Sequence, residues 1–139
     1  MRKTHVLRRR RGEQGAAAVE FALIAMLLFT LLFGIIQFSL WFWAWQAGGH
    51  AAREAARVAA VSPCDTGKIQ TAGAQPLNGP PAATTPAITV SKTSPVKVGD
   101  GITVKVEFKS LDIGYFPWLN MTITRSATSR VENVPAGGC

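Results

Sequence analysis

Two histidines and two cysteines are all that this 139-residue chain offers a transition metal, and they are not grouped. His5 is near the start, His50 is isolated, and Cys64 and Cys139 are far apart in sequence, so nothing has metal-ligand spacing. No serine stands in a nucleophile-elbow context, and no glycine-rich loop joins a strand pattern to a helix pattern. Acids are scarce, eight against fifteen bases, and Asp65, Asp100, Glu107, Asp112 and Glu132 are scattered singly. These absences argue against an enzyme, a metal or other cofactor, and a small-molecule substrate. Two further absences shape the first third of the chain. It has no proline between Met1 and Ala60, and no charged residue between Glu20 and Arg53.

What fills that stretch is a basic leader, MRKTHVLRRRRGEQG, running into AAAVEFALIAMLLFTLLFGIIQFSLWFWAW. The apolar run is too long for an ordinary signal-peptide core and long enough to cross a bilayer. Residues 21–45 of a helix span about 37 Å, enough for a hydrocarbon core of about 30 Å with some tilt. Gly34 is tolerated in a membrane helix. Six bases, Arg2, Lys3, Arg8, Arg9, Arg10 and Arg11, precede the run, whereas residues 16–139 hold nine basic and seven acidic residues. The net charge of +7 is therefore concentrated in the leader. By the positive-inside rule, Arg8–Arg11 orient the N-terminus to the cytoplasm and the C-terminal part outward. A nucleic-acid patch is the weaker reading, because the cluster abuts a spanning segment and has no aromatic stacking platform.

The chain reads as four parts: leader 1–15, one long helix over 16–60, a Pro/Gly-rich linker over 61–87, and strands over 88–139. The fold class is α+β, a long transmembrane helix followed by a small, mainly antiparallel three-stranded domain. Trp41, Phe42, Trp43 and Trp45 mark where the helix leaves the membrane, since indole rings favour the headgroup region. Beyond them Ala47, Ala51, Ala55 and Ala59 recur every four residues, as do Ala52, Ala56 and Ala60, and such small-residue stripes let another backbone approach closely. Gly48-Gly49 is a hinge or a close-packing point. Arg53, Glu54 and Arg57 read as a solvated face. Gln37 and Ser39 either seek a partner across a helix interface or meet headgroups.

The linker holds Pro63, Pro76, Pro80, Pro81 and Pro86, with Gly67, Gly73 and Gly79, and is expected to sustain neither helix nor sheet. Past it, Ile102, Val104, Val106 and Phe108 alternate with Thr103, Lys105, Glu107 and Lys109, which predicts a half-buried strand. Residues 88–91 give a shorter strand, and 121–131 a third whose pattern weakens past Arg125. Gly99-Asp100-Gly101 is a turn signal. The alanine-rich end of the helix is the nearest cover for the sheet's apolar face. Tyr115, Phe116 and Trp118 either form a partner-binding or membrane-touching patch or fold under to cap the core. Asn120-Met-Thr122 is a weak glycosylation sequon. Cys64 and Cys139 fall on the outer side, where disulfides persist. A bridge between them would stabilise a small core by roughly 4–5 kcal/mol on chain-entropy grounds, and two free thiols are the other reading.

The segment Gly15-Ala-Ala-Ala-Val-Glu20-Phe21-Ala-Leu resembles the processing motif of type IV prepilins. With FGIIQF and AAREAARVAA, residues 11–60 are similar to the N-terminal region of TadE-like proteins of the Tad (tight adherence, Flp) pilus machinery. The resemblance implies cleavage after Gly15 by a prepilin peptidase, leaving Ala16 first and Glu20 fifth in the mature chain. It implies assembly through the helix, with Glu20, Gly34, Gln37, Ala51 and Ala55 as packing positions. The implied partners are membrane lipid, the peptidase, other Tad pilins and pseudopilins, and the inner-membrane assembly platform, in the membrane or a cell-surface pilus. Glu20 would pair with the Ala16 amine of a neighbouring subunit; the other reading is that it snorkels to the interface. Gln37 stands where many members carry an acid. Phe21 stands where the major Flp pilin usually has tyrosine, which, with the separate C-terminal domain, implies a minor pilin or pseudopilin. Two alternatives are an uncleaved single-pass anchor whose outer domain binds an envelope or secretion component, and an exported domain released by signal peptidase. The long apolar core and the lack of a small-x-small site after it argue against the second.

Overall fold

In the computed structural model, residues 9–116, 121–136 and 139 are described, with side chains described from Gly15 onward. Helix α1 runs Arg9–Val61 and α2 runs Thr66–Ala74, followed by a 3-10 turn at Gln75–Leu77. Strands β1 (Ala87–Ser91), β2 (Gly101–Lys109) and β3 (Thr122–Arg130) form one antiparallel sheet in the order β1-β2-β3. The expected α+β class and three-stranded sheet are both present.

The chain divides into two units between Ile36 and Gln37. In the first, none of residues 15–36 is buried. Its phenylalanines, leucines and isoleucines project outward from a helix that no proline interrupts, as suits a segment whose solvent is lipid rather than water. The Thr30 hydroxyl donates to the Met26 carbonyl at 2.8 Å, so that its polar hydrogen is satisfied within the helix. The helix is apolar and long enough to serve as a single-pass membrane anchor.

In the second unit, the rest of α1 turns its alanines inward. Ala44, Ala51, Ala52, Ala55, Ala56 and Ala59 share a core with Ile69, Leu77, Ile102, Val104, Val106 and Phe108. The alternation in β2 is realised in full: its four apolar residues are buried, and Thr103, Lys105, Glu107 and Lys109 face outward or lie half-buried. Register fixes the layer, with Ile88 opposite Val106, Val90 opposite Val104, and Phe108 opposite Ile123. The sheet approaches α1 closely where the helix presents Gly48 and alanines. A β-carbon on Gly48 would lie 2.8 Å from the Phe108 ring, so the glycine pair is a close-packing point within a continuous helix. The Ser129 hydroxyl donates to the Ala56 carbonyl at 2.6 Å, joining β3 to α1. At the β1–β2 turn, Gly99 takes a φ of +93° and Asp100 accepts from the Thr93 hydroxyl and the Lys97 N–H, both at 2.9 Å.

The linker expectation is corrected. Residues 61–87 hold α2, the 3-10 turn and the start of β1. No proline lies between Pro63 and Pro76, and Asp65 caps that window by accepting the Lys68 N–H at 2.9 Å. Pro76 sits in the first turn of the 3-10 segment, where its missing N–H has no partner to lose. Ile69, Gly73 and Leu77 are buried, and a β-carbon at Gly73 would meet Ile88 at 2.8 Å and Ala55 at 3.1 Å. The segment is thus a third wall of the core. Cys64 and Cys139 form a disulfide with Cα atoms 5.4 Å apart, closing the chain end onto the start of that wall.

Candidate functional site

The motif-bearing turn of α1 lies open. Gly15, Ala16, Glu20 and Phe21 are all exposed, and a β-carbon at Gly15 would meet nothing within 4 Å. Residues 16 and 20 are one helical turn apart and share a face. Glycine at 15 weakens the helix locally by about 1 kcal/mol relative to alanine. Arg8 lies outside the described residues, and for Arg9, Arg10 and Arg11 the helical backbone alone is described. Gly34 is half-exposed.

The remaining positions expected at an assembly interface are taken up inside the chain itself. Ala51 and Ala55 are fully buried beneath the chain's own sheet and α2, because the small-residue stripe admits those elements first. Gln37 is 1% exposed. Its Oε1 accepts the Ile113 N–H at 3.1 Å and its Nε2 donates to the Leu111 carbonyl at 3.4 Å. Both ends of the amide are thus used within the chain. The amide serves as a two-point clamp on the loop after β2.

Around this clamp the surface is apolar. Phe38, Phe42 and Trp43 on α1, and Leu111, Ile113, Tyr115 and Met121 on and beside the loop, are exposed. Gln37, Phe38, Trp41 and Met121 line a cleft of about 240 Å³. Tyr115 packs edge-on against Phe116 with ring centroids 4.8 Å apart and stays exposed, so it does not cap the core. Trp118, and Asn120 of the sequon, lie outside the described residues.

Farther along α1 the surface is charged. Arg57 bonds both carboxylate oxygens of Glu54 at 2.7 and 3.1 Å on an exposed face, as expected of a solvated stripe. The Arg57 hydrogen bonds hold the Glu54 carboxyl below the usual range. Backbone N–H bonds do the same elsewhere: from Lys68 to Asp65, and from Lys97, with the Thr93 hydroxyl, to Asp100. Arg125 was not singled out from the sequence. It stands opposite Val106 on the core-facing side of β3, and its guanidinium stacks over Trp45 at 4.1 Å. The only sequence sign of this was the weakening of the strand pattern there. Among the described residues, no group of three or more His, Cys, Asp or Glu could hold a metal ion.

Residues 15–57 match the family described as TadE-like protein. No curated protein and no solved structure matches the chain.

Proposed function

From its TadE-like segment, we propose that the chain is a minor pilin or pseudopilin of a Tad pilus assembly system, processed after Gly15 and assembled through the exposed apolar part of α1. The observation that carries this reading is the combination at the start of that part: an open glycine, an acid five residues later, and an unburied apolar helix behind them. Cleavage there removes the leader with its six bases, and so removes the charge that orients and retains the N-terminus. It also creates an α-amine at Ala16, cationic near neutral pH. In a dry helix bundle, Glu20 of one copy pairs with the Ala16 amine of the next, and a shifted register leaves a charge uncompensated. The partners are the prepilin peptidase, other Tad subunits and the inner-membrane platform, and the role is structural rather than catalytic.

The C-terminal unit supports a role as a joined module rather than a bare filament helix. Its core uses Ala51 and Ala55, which leaves residues 16–36 as the stretch available to neighbouring subunits. Intact mass and N-terminal sequencing of the membrane-extracted protein, with and without the peptidase, test the proposal. A chain beginning at Ala16 only when the peptidase is present supports it. A chain beginning at Met1 in both cases overturns it and leaves an uncleaved single-pass anchor.

A further inference from the structure

The loop between β2 and β3 is held at a defined place on α1. Gln37 binds it at Leu111 and Ile113, and the Asp112 carboxylate accepts the Gly114 N–H at 2.8 Å. Three polar backbone groups of an irregular segment are thereby satisfied from within the chain. The side chains left facing outward are Leu111, Ile113 and Tyr115, joined by Met121 and by Phe38 of the helix. In water this arrangement exposes apolar surface with nothing gained.

The position along the helix identifies a different solvent. Gln37 precedes Trp41, Trp43 and Trp45 by four to eight residues, or roughly 6–12 Å of helical rise. Indole rings favour the headgroup zone. A loop clamped at Gln37 therefore lies at the inner edge of the tryptophan belt. Irregular backbone in hydrocarbon needs its polar groups satisfied by protein; here the Gln37 amide, the Asp112 carboxylate and the Pro81 carbonyl take four of them, which suits the headgroup–acyl boundary, where water and headgroups reach the rest. Within this unit the patch takes in apolar side chains of α1, since Phe38 and Trp41 line one cleft with Met121. Lys109 and Asp112 are charged residues beside and within the patch, which confines it to the headgroup boundary rather than the bilayer interior.

We propose that residues 111–116, with Met121 and Phe38, form a lipid-contacting wedge that seats the C-terminal unit in the bilayer surface from which α1 emerges. Its apolar side chains enter the headgroup–acyl boundary, roughly 5–10 Å deep, as interfacial apolar elements do. The proposal needs a membrane-embedded α1 and is independent of cleavage after Gly15, so either can fail without the other.

The test uses the full-length, disulfide-bonded protein in phosphatidylcholine vesicles, with a nitroxide on Ile113→Cys. A label on Lys97→Cys, in the β1–β2 turn whose Asp100 accepts the Lys97 N–H, serves as the reference. The label at 113 is expected to collide preferentially with oxygen, and the one at 97 with an aqueous nickel chelate. Tyr115→Cys, outside the Gln37 hydrogen bonds, gives the same sign if substitution at 113 disturbs the loop. Preference for the nickel chelate at both loop positions overturns the proposal. So does dipolar broadening between loop labels that disappears on dilution with unlabelled protein, because a second copy then covers the patch.

Discussion

A buried amide in an otherwise apolar neighbourhood is worth keeping only if both its ends are used. Gln37 uses both, one toward the Ile113 N–H and one toward the Leu111 carbonyl. Replacing it with leucine preserves bulk but leaves two backbone groups without partners. The expected loss of stability is about 1–3 kcal/mol, read from denaturation of the full chain in detergent micelles. Amide exchange at Ile113 should rise with it, whereas exchange in β2 follows global opening alone. An unchanged Ile113 exchange rate in Gln37→Leu would contradict the clamp. None of this was legible from sequence. A glutamine in an apolar run announces that a partner is needed, but not that the partner is a loop more than seventy residues away. Gly48 is a similar case: the glycine pair signalled close approach or hinging, and only the Phe108 ring 2.8 Å from its absent β-carbon decides for approach.

Among the elements, β2 was the most legible and α2 the least, for opposite reasons. Every second residue of β2 is apolar and meets the helix, so local pattern and burial agree. In β3 the inward positions are Ile123, Arg125, Ala127 and Ser129, and only the first has the size and polarity of a core residue. Arg125 occupies its place by laying its guanidinium on Trp45, a pairing with no local signature. Helix α2 was hidden because proline density over 61–87 concealed a proline-free window with an aspartate at its head. That aspartate makes α2 sensitive to acid. The Lys68 N–H bonds to Asp65 and favours the carboxylate, so its folded pKa lies below that of the unfolded chain. The stabilisation it contributes is complete above the unfolded value, about 4, and is lost as pH falls through the folded one. Amide protection at Lys68 and Ile69 should therefore decline on acidification below about pH 4. In Asp65→Ala that protection should be low at neutral pH and insensitive to this titration. Protection factors at Lys68 and Ile69, taken relative to the intrinsic exchange rate at each pH, that do not change with pH in the native chain would contradict the cap.

At the scale of the whole chain, an unburied apolar unit and a unit with its own core share one helix, and the disulfide belongs to the second. Cys64 and Cys139 are 75 residues apart in sequence, and both lie in the unit that starts at Gln37. The bridge therefore restricts the unfolded ensemble of that unit while leaving residues 15–36 unconstrained. None of those residues is buried, and their helix is held by backbone bonds that lipid or detergent cannot replace. Removing the bridge in a Cys64→Ser, Cys139→Ser double variant should lower the stability of the sheet unit by about 2–5 kcal/mol. Lys92, whose Nζ donates to the Pro63 carbonyl at 2.8 Å and lies 3.9 Å from the Cys139 sulfur, would keep only the first of these contacts. The expected melt in micelles has two parts. Near-ultraviolet signal from the packed aromatics is lost at a lower temperature than in the native chain, and a helical far-ultraviolet signal from the apolar segment persists beyond it. If helix and sheet signals fell together at the lowered temperature, the apolar helix would depend on the sheet unit for its stability, and the division at Gln37 would not be an energetic one.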